Sequence, residues 1–323
     1  MKSPIALLLR AGLITGLAVC LLASAAGQLA GLHWGLELFS HFKVQLTAAA
    51  LALLILGLLL RARLASGTAL LLLLLNAYPL WPYLSGLLPS AEAGQPGLRV
   101  LTLNLHHRHA DRQAIEAYLE REEPALVLLT ELPADGRGWL RTLERSYPHQ
   151  AVESLDSVFE VALLSRWPLK QVVFDRQVAS FLPVLTARAC PPPDVEAEDE
   201  AGACLSIVGL HAANPLGNSQ RRDQQLRLAA EKAAQAPQGR VLLLGDLNTT
   251  PWAPIFGEVL ERSGLRDSAP GFPLRATWLS RNPLFGLPID HVLLGDGIEP
   301  TARRVGPDLG SDHFPLVVDL VQR

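Results

Sequence analysis

Val241-Leu242-Leu243-Leu244-Gly245-Asp246-Leu247-Asn248 decides how this 323-residue chain is read. Its first four residues form an apolar run of strand character, and the run ends on a carboxylate and an amide. Polar groups placed where buried strands stop are what a site assembled from several loops requires. The pattern recurs on either side of this stretch, at Leu103-Asn104-Leu105, Leu129-Thr130-Glu131-Leu132 and Leu210-His211-Ala212-Ala213-Asn214, then at Ile289-Asp290-His291 and Gly310-Ser311-Asp312-His313. Glu131 follows Ala125–Thr130 directly and has no local cation. A charge at the edge of a core is costly unless it is paired or metal-bound. Any one such residue also reads as a strand-end cap, but six together are harder to explain in that way.

Strand character is expected at 99–104, 126–130, 158–165, 182–189, 205–211, 241–245, 289–294 and 314–320, and helices at 111–122, 138–147, 219–236 and 254–263. Hairpin-like neighbours interspersed with helices indicate an α+β arrangement with two packed sheets rather than a strictly alternating parallel fold.

The candidate site contains the carboxylates Glu131, Asp246, Asp290 and Asp312, the amides Asn104 and Asn248, and the imidazoles His211 and His313. No serine or cysteine nucleophile stands out. Hard oxygen ligands of this kind suit Mg²⁺ or Mn²⁺ in a site that also binds phosphate oxygens. Attack of water on phosphorus needs a Lewis acid, a group that orients or deprotonates the water, and a donor for the developing charge. Zinc is less favoured, because the histidines lack the i, i+4 spacing of a helical zinc site. His106, His107 and His109 read mostly as exposed loop residues.

The composition is divided along the chain. Mean hydropathy is +0.23 and only 18% of residues are charged. Before position 91 the charged residues are Lys2, Arg10, Glu37, Lys43, Arg61 and Arg63, whereas 91–323 carries a net charge near −7. The uncharged runs 11–36, 44–60 and 64–91 each approach the roughly 20 residues that cross a bilayer, and three spans are expected at about 8–30, 40–60 and 65–88. A linker at 91–98 and one large domain at 99–323 follow. Lys2, Arg10, Arg61 and Arg63 place the N-terminus and the second loop in the cytoplasm by the positive-inside rule. A multi-pass membrane protein with an extracytoplasmic domain results. Tyr78, Trp81 and Tyr83, interleaved with Pro79 and Pro82, suit an interfacial aromatic belt. Ala23-Ser24-Ala25 leaves open a cleaved signal peptide, which would still leave the domain outside. Cys190 and Cys204 flank a proline-rich, acidic stretch that reads as a hairpin tip. A bridge between them would persist in an oxidising compartment, with two unpaired thiols as the alternative.

Asn104, Glu131, Gly245-Asp246-Leu247-Asn248 and Ser311-Asp312-His313, in that order, resemble the endonuclease/exonuclease/phosphatase superfamily. Leu164-Ser165-Arg166-Trp167-Pro168, Thr277-Trp278 and Ile289-Asp290-His291-Val292 add to the resemblance, which covers about 99–320. The three-span N-terminus is similar to membrane-anchored bacterial members, the VanJ-like and YafD-like proteins. The resemblance implies a DNase I-like four-layer α/β sandwich behind a three-helix anchor. It implies that Glu131 binds the divalent cation with Asn104 and Asp312 nearby, and that Asp246 orients or deprotonates water. Asn248 would donate to the phosphoryl oxygen, His313 oriented by Asp290 would act on the phosphate, and His211 would be a second catalytic histidine with Glu160 as its partner. Asn104, Asn214 and Asn248 would contact substrate. Pro288 stands where many relatives have Arg.

An acidic domain argues against tight non-specific nucleic-acid binding. Arg137, Arg141, Arg145, Arg221, Arg222, Arg227, Arg303 and Arg304 would form a basic strip if they gathered on one face, and otherwise read as solvated helix and loop charges. The sequence therefore favours a Mg²⁺- or Mn²⁺-dependent phosphohydrolase acting on a phosphoester or pyrophosphate of an envelope lipid or lipid carrier at the bilayer. A surface nuclease acting on DNA or RNA, and a non-catalytic envelope binding or resistance factor, are the alternatives.

Overall fold

The apolar N-terminal segments form helices in a computed structural model of the chain, which describes residues 4–84, 97–107, 110–133, 135–152, 159–191 and 204–322. These helices are α1 (Pro4–Gln28), α2 (Trp34–Ser40), α3 (Lys43–Leu59), α4 (Arg63–Ala77) and the short α5 (Trp81–Leu84). Leu13, Leu17, Cys20, Ala50, Ala69 and Leu72 pack inside the bundle, while Leu8, Val19, Leu22, Leu59, Leu64 and Leu71 face outward and are exposed. An apolar exterior of this extent marks a surface that meets something other than water. α1 and the stretch Arg63–Tyr83 are long and apolar enough to cross a membrane, and α2 with α3 forms a third candidate bent by 61°.

The span expected at 40–60 is thus a broken one. His33 caps α2, accepting from the Gly35 N–H at 3.0 Å, and α3 starts afresh at Lys43. The break has a physical cause, because Glu37 and His41 find polar partners in the following domain that lipid would not supply. The first helix runs 4–28 instead of 8–30. The third begins at Arg63 and passes through a 3₁₀ turn at Tyr78–Leu80 before α5. Residues 85–88 of that expected span, most of the 91–98 linker, and Val158 lie outside the described residues.

The domain opens with β1 (Leu98–Asn104), α6 (Arg112–Glu122), β2 (Leu126–Thr130), α7 (Gly136–Thr142), β3 (His149–Val152) and β4 (Val161–Ser165), then β5 (Leu169–Asp175), β6 (Val184–Ala189) and β7 (Leu205–His211). After α8 (Pro215–Ala234) come β8 (Val241–Asp246), α9 (Pro254–Ser263), β9 (Arg266–Asp267), β10 (Asp290–Leu294), β11 (Ile298–Val305) and β12 (Leu316–Gln322). They form two six-stranded sheets, ordered β11-β12-β1-β2-β4-β3 and β5-β6-β7-β8-β10-β9. β1 and β2 are parallel across α6, and β7 and β8 are parallel across α8. The other pairings are antiparallel.

The central strands bury both faces, which is why they read as continuous apolar runs. In β1, Leu98 and Val100 point into the inter-sheet core with Leu128, Leu163, Ile207 and Leu244. Leu101 and Leu103 point the other way, among Ile115, Leu119 and Trp139 of α6 and α7. On the second sheet, Val208, Leu210 and Leu243 pack beneath Leu226 and Ala230 of α8 and Phe256 and Val259 of α9. The result is a helix/sheet/sheet/helix sandwich with DNase I-like architecture. Cys190 and Cys204, just beyond the paired ends Ala189 and Leu205 of β6 and β7, form a disulfide.

The helical bundle is docked on the sandwich through α2. Glu37, the one acidic residue in the first ninety, receives the Arg222 Nη2 donor at 2.7 and 2.9 Å. Arg222 of α8 has no exposed surface and Glu37 only 7%. His41 Nδ1 lies 2.9 Å from Thr250 Oγ1, and the His41 carbonyl accepts from the Trp252 indole at 3.0 Å. Removing Glu37 leaves the buried Arg222 guanidinium supported by a carboxylate on one side only, that of Asp223. Glu37→Ala in the full-length protein is therefore expected to cost about 3 kcal/mol, seen as a lower Tm in detergent, while the equally apolar-to-lipid change Leu22→Ala leaves Tm nearly unchanged.

Candidate active site

Strand register brings the predicted residues to one end of the sandwich. β7 pairs with β8 so that His211 lies beside Asp246, and β10 pairs with β8 so that Asp290 lies on its other side. Gly245 makes this approach feasible. Its φ is +137°, and a Cβ there would come within 2.0 Å of the Leu210 carbonyl oxygen. In the facing sheet Asn104 pairs with Thr130, so Glu131 is the first residue past β2. Glu131 and Asn248 hold left-handed backbone conformations, with φ of +52° and +47°. For residues with a side chain such conformations are disfavoured, and their occurrence at strand ends marks a site where geometry has been imposed.

Asn104 joins the two sheets. Its Nδ2 donates to Glu131 Oε1 at 2.9 Å and to Asp246 Oδ2 at 3.1 Å. His211 Nε2 lies 3.5 Å from Glu131 Oε1 and 3.6 Å from Asp246 Oδ2. His313 Nε2 approaches the same Asp246 oxygen at 3.7 Å, while its Nδ1 pairs with Asp290 Oδ2 at 2.9 Å. The Asn248 N–H donates to Asp246 Oδ1 at 2.9 Å, and Asn248 Nδ2 donates to the Ala212 carbonyl at 2.8 Å. The Ser311 hydroxyl donates to the Asn104 carbonyl and receives the His313 N–H, which fixes the Ser-Asp-His turn beside β1. Asp312 is held by the Trp278 indole at 3.1 Å and by His106 Nδ1 at 3.0 Å.

One predicted residue sits apart from this mesh. Asn214 caps α8 by accepting from Leu216 N–H at 2.8 Å and is exposed. Glu160 meets the site through its backbone carbonyl, which accepts from Glu131 N–H. His107, expected on an exposed loop, reaches Glu131 Oε2 at 3.3 Å; His109 lies outside the described residues. Sequence reading gave no role to Phe159 and Phe181, whose rings lie 5.7 Å apart with Phe159 5.0 Å from the His211 ring. Arg221 stands over Phe181 at 5.7 Å. Isolated phenylalanines in loops carry no periodic signal, so nothing in the sequence set them apart.

Burial and neighbouring charge tune the cluster. Burial pushes the Asp246 carboxyl up to about 6, aided by the Asp290 charge and opposed by His313 and His211. Burial alone would lower His313, but the charge and hydrogen bond of Asp290, with Asp246 and Asp312 behind them, outweigh it and hold the imidazole at about 9. Glu131 is also opposed by burial, yet His211 and the hydrogen bonds from Asn104 and His107 keep it below the ordinary range.

The donor set fits a hard divalent cation. Four carboxylates converge here, the ligand atoms of Asp246, Asp290 and His313 lie within 4.8 Å of one another, and the buried Asp290 Oδ1 has no hydrogen-bond partner among the described residues. Such an orphaned oxygen is expensive without a counter-charge.

A family model described as "Endonuclease/Exonuclease/phosphatase family" matches residues 101–313. The chain belongs to this family. No curated protein matches it significantly. Among solved structures, this family member is similar to D. rerio TDP2 humanized by 14 mutations, at 20% identity and a TM-score of 0.56, over 70% of this chain and 99% of that one. An endonuclease/exonuclease/phosphatase from Beutenbergia cavernae has 19% identity and a TM-score of 0.56, over 71% and 72%. The catalytic domain of human Nocturnin has 15% identity and a TM-score of 0.56, over 72% and 97%.

In the metal-free protein the His313 resonances are expected to titrate near pH 9. Because this raised value belongs to the folded state, the stability it confers is complete below the ordinary histidine range and is lost as pH rises through about 9. Asp290→Asn removes the charge that sustains it and should bring the midpoint down by at least one pH unit, on the order of 1.4 kcal/mol; an unchanged NMR titration would show that Asp290 does not hold the imidazolium.

Proposed function

We propose that the protein is a membrane-anchored, Mg²⁺- or Mn²⁺-dependent phosphohydrolase with an extracytoplasmic catalytic domain that cleaves a phosphoester or pyrophosphate of an envelope lipid or lipid carrier. The observation that carries this reading is the docking of the site-bearing sandwich on an apolar helical bundle through Glu37 and Arg222. The charge pattern of the first ninety residues favours a cytoplasmic N-terminus, and the Cys190–Cys204 bridge favours an oxidising compartment for the domain.

In this mechanism Asp246, poised near pH 6, takes a proton from the attacking water at neutral pH. His313 keeps its proton and gives it to the leaving oxygen or steadies the phosphoryl charge. Asp290 fixes its orientation. His211 lies between Glu131 and Asp246 and restrains both. Asn248 spends one amide hydrogen on Ala212 and offers the second to a phosphoryl oxygen. Asn104 aligns Glu131 with Asp246, and Asn214 contacts substrate from the start of α8. The cation would be held by Glu131, Asn104 and Asp312, which leaves Asp246 and His313 to the proton transfers. It would polarise the phosphoryl group as a Lewis acid.

A surface nuclease is the second reading, motivated by a D. rerio TDP2 structure "complexed with single strand DNA product". Four of the eight arginines that would form a nucleic-acid strip weigh against it. Arg222 is buried on Glu37, Arg227 pairs with Glu258 at 2.7 Å, Arg304 with Asp319 at 3.1 Å, and Arg303 is buried.

Asp246→Ala and His313→Ala should each reduce phosphate release by about a thousandfold with circular dichroism unchanged. Chelation should abolish turnover, and Mg²⁺ or Mn²⁺ should restore it. A panel of undecaprenyl pyrophosphate, phospholipids, sphingomyelin and DNA decides the substrate: nucleotide release from DNA alone would establish the nuclease, and retained biological function in Asp246→Ala would establish a non-catalytic binding role.

A further inference from the structure

A hairpin links the active site to the start of α3. Trp278 bridges to Leu287 and to His313, and its indole donates to Asp312. Thr277 Oγ1 accepts the Ile289 and Asp290 N–H groups at 3.1 Å. The base of the hairpin is therefore part of the site. Its tip runs the other way, to the first turn of α3, where Gln45 Nε2 donates to the Leu284 carbonyl at 3.3 Å and to the Gly286 carbonyl at 3.1 Å.

That contact locates the tip relative to the bundle's long axis. Lys43 Nζ reaches Asn76 Oδ1 at 3.4 Å, so the start of α3 and the end of α4 lie at the same end of the bundle. The end of α4 leads into Tyr78 and Trp81, which are 82% and 74% exposed. Aromatic rings at that depth are the usual marker of a bilayer interface. The tip residues Leu284 and Phe285 are 74% and 50% exposed, and exposed Arg281 lies three residues before them. Two large apolar side chains left half or more exposed beside a cation have the composition of a segment that enters the headgroup and acyl boundary. In water this arrangement would be unfavourable; in the interface it gains by burial. The sandwich has little freedom to lift the tip away, because Tyr83 donates to Asp267 at 3.1 Å and His41 holds Thr250 and Trp252 on the same side.

We infer that the Trp278–Leu287 hairpin immerses Leu284 and Phe285 in the outer leaflet and delivers a membrane-embedded lipid phosphate along its length to Asp312 and His313. The occupant of the tip is a phospholipid surface. The inference rests on the lipid-phosphate reading for the substrate but not for the immersion. The headgroup would slide from the interface, past Arg281, to the carboxylate cluster without its acyl or prenyl tail leaving the bilayer.

The test uses full-length protein in phosphatidylcholine vesicles. A Leu284→Cys variant labelled with a nitrobenzoxadiazole probe reports the tip's surroundings, because Cys20 is buried and the other two cysteines are bridged. Quenching by spin-labelled acyl chains is expected; probe emission insensitive to them overturns the inference. In parallel, Leu284→Ser/Phe285→Ser should lower kcat/KM about tenfold for undecaprenyl pyrophosphate in those vesicles and leave hydrolysis of soluble bis(p-nitrophenyl) phosphate unchanged. Equal loss on both substrates, or loss on neither, overturns delivery. Quenching together with turnover of the soluble ester but of no lipid phosphate by the wild type refutes the proposed substrate class and the delivery step, and leaves the immersion standing.

Discussion

The enclosed carboxylate of Asp246 is the constraint around which this domain is built. A charge with 1% of its surface exposed survives only if its surroundings supply compensation from several directions. The register of three neighbouring strands does so within one sheet, setting His211 and Asp290 on either side, and the facing sheet contributes Asn104. Asp290, itself fully buried, would worsen the repulsion but for His313, which pairs with both carboxylates. The two-sheet architecture is thus what lets Glu131 and Asp246 share the Asn104 amide while Asp290 flanks Asp246. The opposed shifts of Asp246 and His313 follow from the same arrangement and leave an acid and a base poised on either side of neutrality.

A second buried charge fixes where that site stands relative to the bundle. Arg222 bonds Glu37, pairs with its neighbour Asp223 at 2.6 Å, and approaches the Asn248 carbonyl at 3.4 Å. The residue that fastens α2 to the sandwich therefore also touches the backbone of the Gly-Asp-Leu-Asn turn. Bundle and site are mechanically continuous, and the bend between α2 and α3 is the geometric consequence of turning Glu37 and His41 toward the domain.

Much of this was legible in the sequence where a strand is buried on both faces. Leu126–Thr130, Leu205–His211 and Pro254–Ser263 have the bounds read from residue pattern alone, and Asp111 caps α6 by accepting from the Ala114 N–H. The edge and short strands β3, β5, β9 and β11 were not read. β5 carries Lys170 and Gln171 within a mostly solvent-facing run, and β11 contains Pro300 at a register shift among half-buried neighbours. Such strands owe their conformation to a partner rather than to their own apolar content. α2 carries little signal of its own for the same reason: Glu37 gains its partner only when α8, nearly two hundred residues later, supplies Arg222. The site residues were legible because each ends an apolar run, whereas Phe159, Phe181 and Arg221 depend on tertiary proximity alone.

Charge bookkeeping by domain also proves too coarse to choose a substrate. A net charge near −7 over 91–323 speaks against a polyanion only if the arginines do not assemble elsewhere, and the partners of several of them bear on that condition. Arg99 and Arg304 share Asp319, Arg262 joins Arg227 on Glu258, and Arg266 takes Glu299. Cations consumed in local pairs contribute little long-range field, since a neutralised pair is felt only over a few ångströms and is screened beyond a Debye length of roughly 10 Å. On the proposed reading, a lipid phosphate held at the bilayer would need no steering field. Confinement to the surface would then replace electrostatic attraction as the means of raising local substrate concentration, which is the physical reason an acidic phosphoester hydrolase would profit from an apolar anchor.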